Sequence, residues 1–184
     1  MKKPLKFPFS ETKAIEALAF IAQECPGLSA LYVSKVLFFA EKWHLNRYGR
    51  PILADTYIAM PKGPVPSTVK NFIDYKWDWV DEPESFRAAV KIVSDGGLRR
   101  LTTGSRPPEL SVLSKSDIEC LKESIAFCKD KSANELSNIT HMDKAWISAA
   151  QNGPMDYADF IDDENPNKEE ILALASESAF CGIL

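Results

Sequence analysis

A chain of 184 residues with 45% hydrophobic and 26% charged side chains has the make-up of an ordinary folded domain, long enough for one substantial core, which excludes intrinsic disorder and two generous domains. A formal net charge of −4 argues against broad, charge-driven DNA binding, which needs clustered Lys and Arg to release counterions. No uninterrupted apolar run approaches the roughly 18 residues of a membrane-crossing helix, and the opening MKKPLKFPFSETK, broken by Pro4 and Pro8, has no apolar core for a secretory signal, so a cytoplasmic location is expected.

Ser10, followed by Glu11, is placed to cap a first helix, and Ile15, Leu18, Ala19, Ala22 and Cys25 keep helical spacing until Pro26-Gly27 ends it. Ser29 is expected to cap a second helix running from Leu31 through Trp43, with apolar residues on nearly every face. Such a helix is buried from several sides and is the expected axis of the core. Gly49, with Pro51 two residues on, supplies its stop.

The run Asp55 to Met60 is short and β-prone and is expected to be extended, with Tyr57 and Ala59 on one face and Thr56 and Ile58 on the other. Pro61-Lys62-Gly63-Pro64-Val65-Pro66 reads as irregular, because proline fixes φ and restricts the residue before it. Ser67 is expected to cap a helix carrying Val69, Phe72, Ile73 and Lys76. The acidic loop that follows holds Trp77 and Trp79, whose indoles share a side in an extended chain and serve either the core or an interface.

Ala88–Val93 and Leu98–Thr102 flank Ser94-Asp95-Gly96-Gly97, which predicts a β-hairpin with Arg99 and Arg100 on its return strand. Gly104-Ser105-Arg106-Pro107-Pro108 is the candidate linker, a subregion boundary near 104–109 within a single domain spanning 1–184. Ser114 with Asp117 and Ser132 with Glu135 predict two acidic capping boxes, each opening a helix. The apolar pattern continues through Trp146 and Ile147 to Asn152-Gly153-Pro154, then Tyr157, Phe160 and Ile161 form a short group, and Asn165-Pro166-Asn167 leads into a last helix from Lys168 to about Ala179. The fold class is therefore α+β: a mainly helical single domain with a short extended segment and one β-hairpin.

Little in this sequence supplies chemistry. The two histidines, His44 and His141, could each serve as a base, but no nucleophile motif accompanies them, and a histidine on an apolar helix is usually a hydrogen-bonded core residue. Cys25, Cys120, Cys128 and Cys181 are scattered without metal-ligand spacing and read as small apolar thiols, so neither a metal nor a cofactor is expected. Asp162-Asp163 and Glu169-Glu170 read as solvated surface charge, and Gly96-Gly97 stands before a strand, where a phosphate-binding loop would stand before a helix. A hairpin bearing Arg99-Arg100 after helices leaves room for a winged-helix DNA reader, although the helices carry few clustered basic residues.

The stretch Lys35-Val36-Leu37-Phe38-Phe39-Ala40-Glu41-Lys42-Trp43-His44-Leu45, then Tyr48-Gly49-Arg50-Pro51-Ile52, then Asp55 to Ser67 with its Gly63-Pro64-Val65-Pro66-Ser67 turn, resembles the signature of the Panacea domain, the family of SocA-like antitoxins and phage-associated GepA-like proteins. Leu136-Ser137, Thr140-His141 and Trp146 resemble that family's second, weaker motif. Phe38-Phe39 stands where the family more often has Tyr-Phe. The resemblance implies a non-enzymatic cytoplasmic antitoxin of a toxin–antitoxin system, often prophage-borne, that neutralises a toxin from the adjacent gene by direct binding. Its alternatives are an adaptor delivering the toxin to a protease, or a DNA-binding regulator. On this reading Phe39, Ala40, Trp43, His44, Tyr48, Gly49, Pro51, Gly63, Pro64, Pro66, Ser67, Thr140, His141 and Trp146 keep the scaffold. The partner is expected at Trp77, Trp79, Arg99 and Arg100.

Overall fold

The computed structural model describes residues 4–75 and 84–182; Trp77 and Trp79 lie outside the described residues. Within these, the helices are α1 (Glu11–Glu24), α2 (Ala30–Tyr48), α3 (Ser67–Ile73), α4 (Glu84–Ala89), α5 (Lys115–Lys129), α6 (Ala133–His141), α7 (Lys144–Ser148) and α8 (Lys168–Cys181). The strands are β1 (Leu28–Ser29), β2 (Tyr57–Met60), β3 (Gly63–Pro66), β4 (Val90–Asp95) and β5 (Leu98–Thr103). They pair as two small antiparallel sheets, one ordered β1-β5-β4 and the other β2-β3. This is the mainly helical α+β architecture the sequence predicts.

Helix α2 is the axis. It packs against α5, β3, α8, β5 and further elements, and its residues 33–42 are buried without interruption. Phe38 sits edge-on to Phe39, Tyr57 and Phe160, and Phe39 and Trp43 both meet Phe127 on α5. Gly49 ends the helix in the left-handed region at φ 67°. A Cβ there would stand 2.8 Å from the Leu174 Cβ of α8, so this glycine both stops one helix and lets another approach.

Several helix ends are where local sequence puts them. The Ser10 hydroxyl accepts from the Lys13 amide, and both capping boxes, Ser114 with Asp117 and Ser132 with Glu135, are closed in both directions. Other boundaries differ. Ser29 makes no side-chain cap for α2, because it is the end of β1 and pairs with Arg100. Ser67 does not cap α3. Its amide bonds Thr56 O, and the Asp55 carboxylate accepts from the Thr68 and Val69 amides at 3.0 and 2.8 Å. Ala88 and Ala89, expected in the hairpin strand, close the short helix α4 instead.

Residues 61–66, expected to be irregular, are the turn and second strand of a regular hairpin. Met60 pairs with Gly63, Ile58 with Val65 and Tyr57 with Pro66, around a Pro61-Lys62 turn. The Ser67 amide continues that ladder to Thr56 O, so residues 63, 65 and 67 face β2. Pro64 and Pro66 fall on the alternate, outer positions, where a strand needs no N–H. The other edge of β2 is taken by residues 152–155, through Ala59, Asn152 and Met155 amides. Segment 104–109 runs against α1: Arg106 clasps the Glu16 carboxylate with both terminal nitrogens, at 2.9 and 2.5 Å. One hydrophobic cluster includes residues from both sides of that segment.

Candidate functional site

A helix buried all round has to satisfy every polar group it carries. On α2, Lys35, Glu41, Lys42 and Asn46 reach out of the helix to hold neighbouring segments. Lys35 is 1% exposed and its ammonium donates to Lys62 O at 2.6 Å and Thr140 Oγ1 at 2.8 Å. Among the described residues no carboxylate bonds it, and burial lowers its pKa to about 8. Glu41, wholly enclosed, accepts from the amides of Ile52, Leu53 and Ala54 at 2.7, 2.8 and 3.1 Å. Burial raises its pKa to about 7, against the pull of those three N–H groups. Lys42 joins Asp143, the cap of α7, and Asp162, each at 2.6 Å. Asn46 donates to Phe160 O and accepts from the Asp162 amide.

His44 belongs to the same set. Its Nδ1 lies 2.8 Å from Arg50 O, a pure acceptor, so this nitrogen carries a proton. Its Nε2 lies 3.0 Å from Ser116 Oγ and 3.1 Å from Asp117 Oδ1. Asp117 also meets Lys13 and Arg50, at 3.1 and 3.2 Å. Burial opposes its charge, but His44, the Ser114 amide and the two cations outweigh that and hold its carboxyl well below the usual carboxylate range. A serine, a histidine and an aspartate therefore meet, yet His44 is 0% exposed and its ring is committed on both nitrogens. It fastens the start of α5 to α2. His141 stacks on Trp146 with centroids 4.2 Å apart. The buried Cys128 thiol is pushed up to about 11 by burial, which keeps it from acting as a thiolate.

The two motif segments meet at one feature, the β2-β3 turn. Thr140 receives Lys35, Ser137 Oγ donates to Lys62 O at 3.1 Å, and Trp146 Nε1 donates to Met60 O at 3.1 Å. Gly63, at φ 102°, is required here: an added Cβ would stand 2.0 Å from Lys35 Nζ and 2.4 Å from Thr140 Oγ1. The turn is thus clamped by α2, α6 and α7 together.

Apolar hollows flank it on both sides, and Pro61 lines both. The larger, about 510 Å³, has walls that include Ala30, Leu31, Met60, Pro64, Val65 and Leu98. It runs between the start of α2, the clamped turn, the end of α3 and the tip of the β4-β5 hairpin. The smaller, about 390 Å³, lies against Trp146 and Ile147, and Ile147 is 62% exposed.

Of the residues expected to meet a partner, Arg99 lines the larger groove. It is held there by Ile73 O at 3.1 Å, Asp74 at 3.5 Å and the Tyr75 ring. Arg100 does not line that groove; it pairs with Asp95 and with Gly27 O, both at 3.1 Å. The two arginines thus form no shared basic patch. The scaffold residues are placed as core or turn: Phe39 and Ala40 buried, Pro51, Pro64 and Pro66 buried, Ser67 half-buried. Tyr48 is 45% exposed beside the His44 ring. Sequence reasoning missed Lys35, Glu41, Lys42, Asn46 and Asp55. The available signal was the presence of charge inside a helix otherwise apolar on every face.

No group of three or more His, Cys, Asp or Glu side chains is arranged to hold a metal ion among the described residues. None of the described helices is long and apolar enough to cross a membrane. Residues 33–147 match the family model described as antitoxin SocA-like, Panacea domain. No curated protein and no solved structure matches the chain.

Proposed function

Because the chain belongs to the SocA-like Panacea antitoxin family, we propose that it neutralises a toxin from the adjacent gene by binding it directly, without altering it chemically. The observation that carries this reading is the use to which its polar residues are put. Lys35, Glu41, Lys42, Asn46, His44 and Asp117 are each committed to holding neighbouring segments in register. Neither histidine lines either hollow beside the clamped turn. The clamped turn lies at the surface between two apolar hollows, and a surface held in place before binding loses less freedom when a partner docks. Internal pairing of Arg99 and Arg100, together with the net charge of −4, weighs against the DNA-reading alternative.

Co-expression tests the reading. A toxic neighbouring gene should be tolerated when this chain is made with it, and the two proteins should co-purify. Tolerance with no complex, and with toxin levels that recover when a cellular protease is removed, would instead identify an adaptor. Unrelieved toxicity would refute neutralisation.

A further inference from the structure

We infer that the larger groove takes an acidic segment of the partner protein whose apolar side chains enter the groove while its carboxylates meet the rim. This rests on the antitoxin reading for the partner's identity, but not for its chemistry. The walls are aliphatic and proline-rich, from Ala30, Leu31, Met60, Pro64, Val65 and Leu98. Among the described residues, the charged groups lining it are unbalanced: Lys35, Lys62, Lys70 and Arg99 against the single carboxylate of Asp74. That carboxylate is already shared by Lys70 and Arg99. Lys62 has no ion pair among the described residues, and Lys35, beneath the turn, contacts only neutral acceptors there. A local excess of cations on a chain of net charge −4 is a complementary field for an acidic ligand.

The start of α2 adds to that field. Ser29, Ala30 and Leu31 line the groove, and this helix of 19 residues has no side-chain cap and no acidic residue in its first turn, so its positive end is uncompensated there. Pro64 and Pro66 have no N–H to offer at the outer side of β3, which disfavours an added strand. Recognition therefore runs through side chains: apolar anchors in the groove and carboxylates towards Lys62, Lys70 and the α2 start.

The test uses the full chain and two fluorescent peptides, one alternating leucine with glutamate and one alternating leucine with lysine, followed by polarisation at low and high salt. The acidic peptide should bind, weaken as salt rises, and lose about tenfold in affinity when Lys62→Glu and Lys70→Glu are combined; the basic peptide should not bind. Lys62 is exposed and Lys70 half-buried, and an unchanged thermal melt shows that the variant is folded. A second variant, Leu98→Asp at the exposed hairpin tip, should weaken the acidic peptide too. Equal binding of both peptides, or acidic binding that neither variant changes, would overturn the inference. Toxin rescue is scored separately: loss of rescue in the groove variants supports the site, whereas intact peptide binding without any rescue by the wild-type chain removes the antitoxin reading and leaves the groove standing.

Discussion

Gly63 shows how much of this molecule turns on single side chains. Its φ of 102° is one that a side chain rarely tolerates, and the space for a Cβ is occupied by Lys35 Nζ and Thr140 Oγ1. Gly63→Ala should destabilise the protein by about 3 kcal/mol, combining backbone strain with displacement of a buried ammonium. Urea unfolding checks this; a loss no larger than an exposed left-handed glycine would give, about 1 kcal/mol, would show that the turn is slack. Glu41 makes a prediction about pH. Its folded carboxyl binds a proton more tightly than an unfolded one, since its pKa is raised from 4.5 to about 7. Folding therefore takes up a proton in that window, and this group's contribution to stability falls as pH rises from about 4.5 through 7. Asp117, held low, acts in the opposite sense, and its contribution is lost only as the solution becomes strongly acid. Unfolding measured across that pH range should show the Glu41 decline, and Glu41→Gln should flatten it.

At the scale of elements, what could be read from sequence was what local geometry decides. The Ser10, Ser114 and Ser132 caps, the Gly49 stop and the Gly96-Gly97 hairpin all depend on residues within a few positions of one another. What escaped depends on distant partners. Asp55 caps α3 from 13 and 14 residues upstream, so no capping motif marks it, and β1 has two residues whose strand character comes entirely from β5. Residues 61–66 misled because proline reads as a breaker unless the side of the strand its nitrogen faces is known. The polar residues of α2 form no motif of their own in the sequence, yet they hold neighbouring segments in register. Asp55→Ala should cost about 2 kcal/mol, with hydrogen exchange of the Thr68 and Val69 amides accelerated ahead of the rest. Trp146→Phe keeps a ring against His141 and removes the bond to Met60 O; a loss of about 1 kcal/mol is expected, with the β2-β3 amides exchanging faster.

For the molecule as a whole, one helix organises the core, and the residues tied to it hold a stiff turn between two apolar hollows. The family signature is the sequence record of that clamp: its first segment supplies α2, Gly63 and the prolines, and its second supplies Thr140 and Trp146. The signature could therefore identify the scaffold while saying little about the groove, whose walls draw also on Leu98 and Arg99 of a hairpin outside the motif segments. The proposed neutralisation is binding and not chemistry, and titrating a fixed amount of active toxin with increasing amounts of the purified chain separates the two. Toxin activity should fall in proportion to added chain and reach its end point at a fixed molar ratio, with the toxin's mass unchanged. Complete loss of activity at far less than one chain per toxin, or a toxin whose mass has changed, would contradict it.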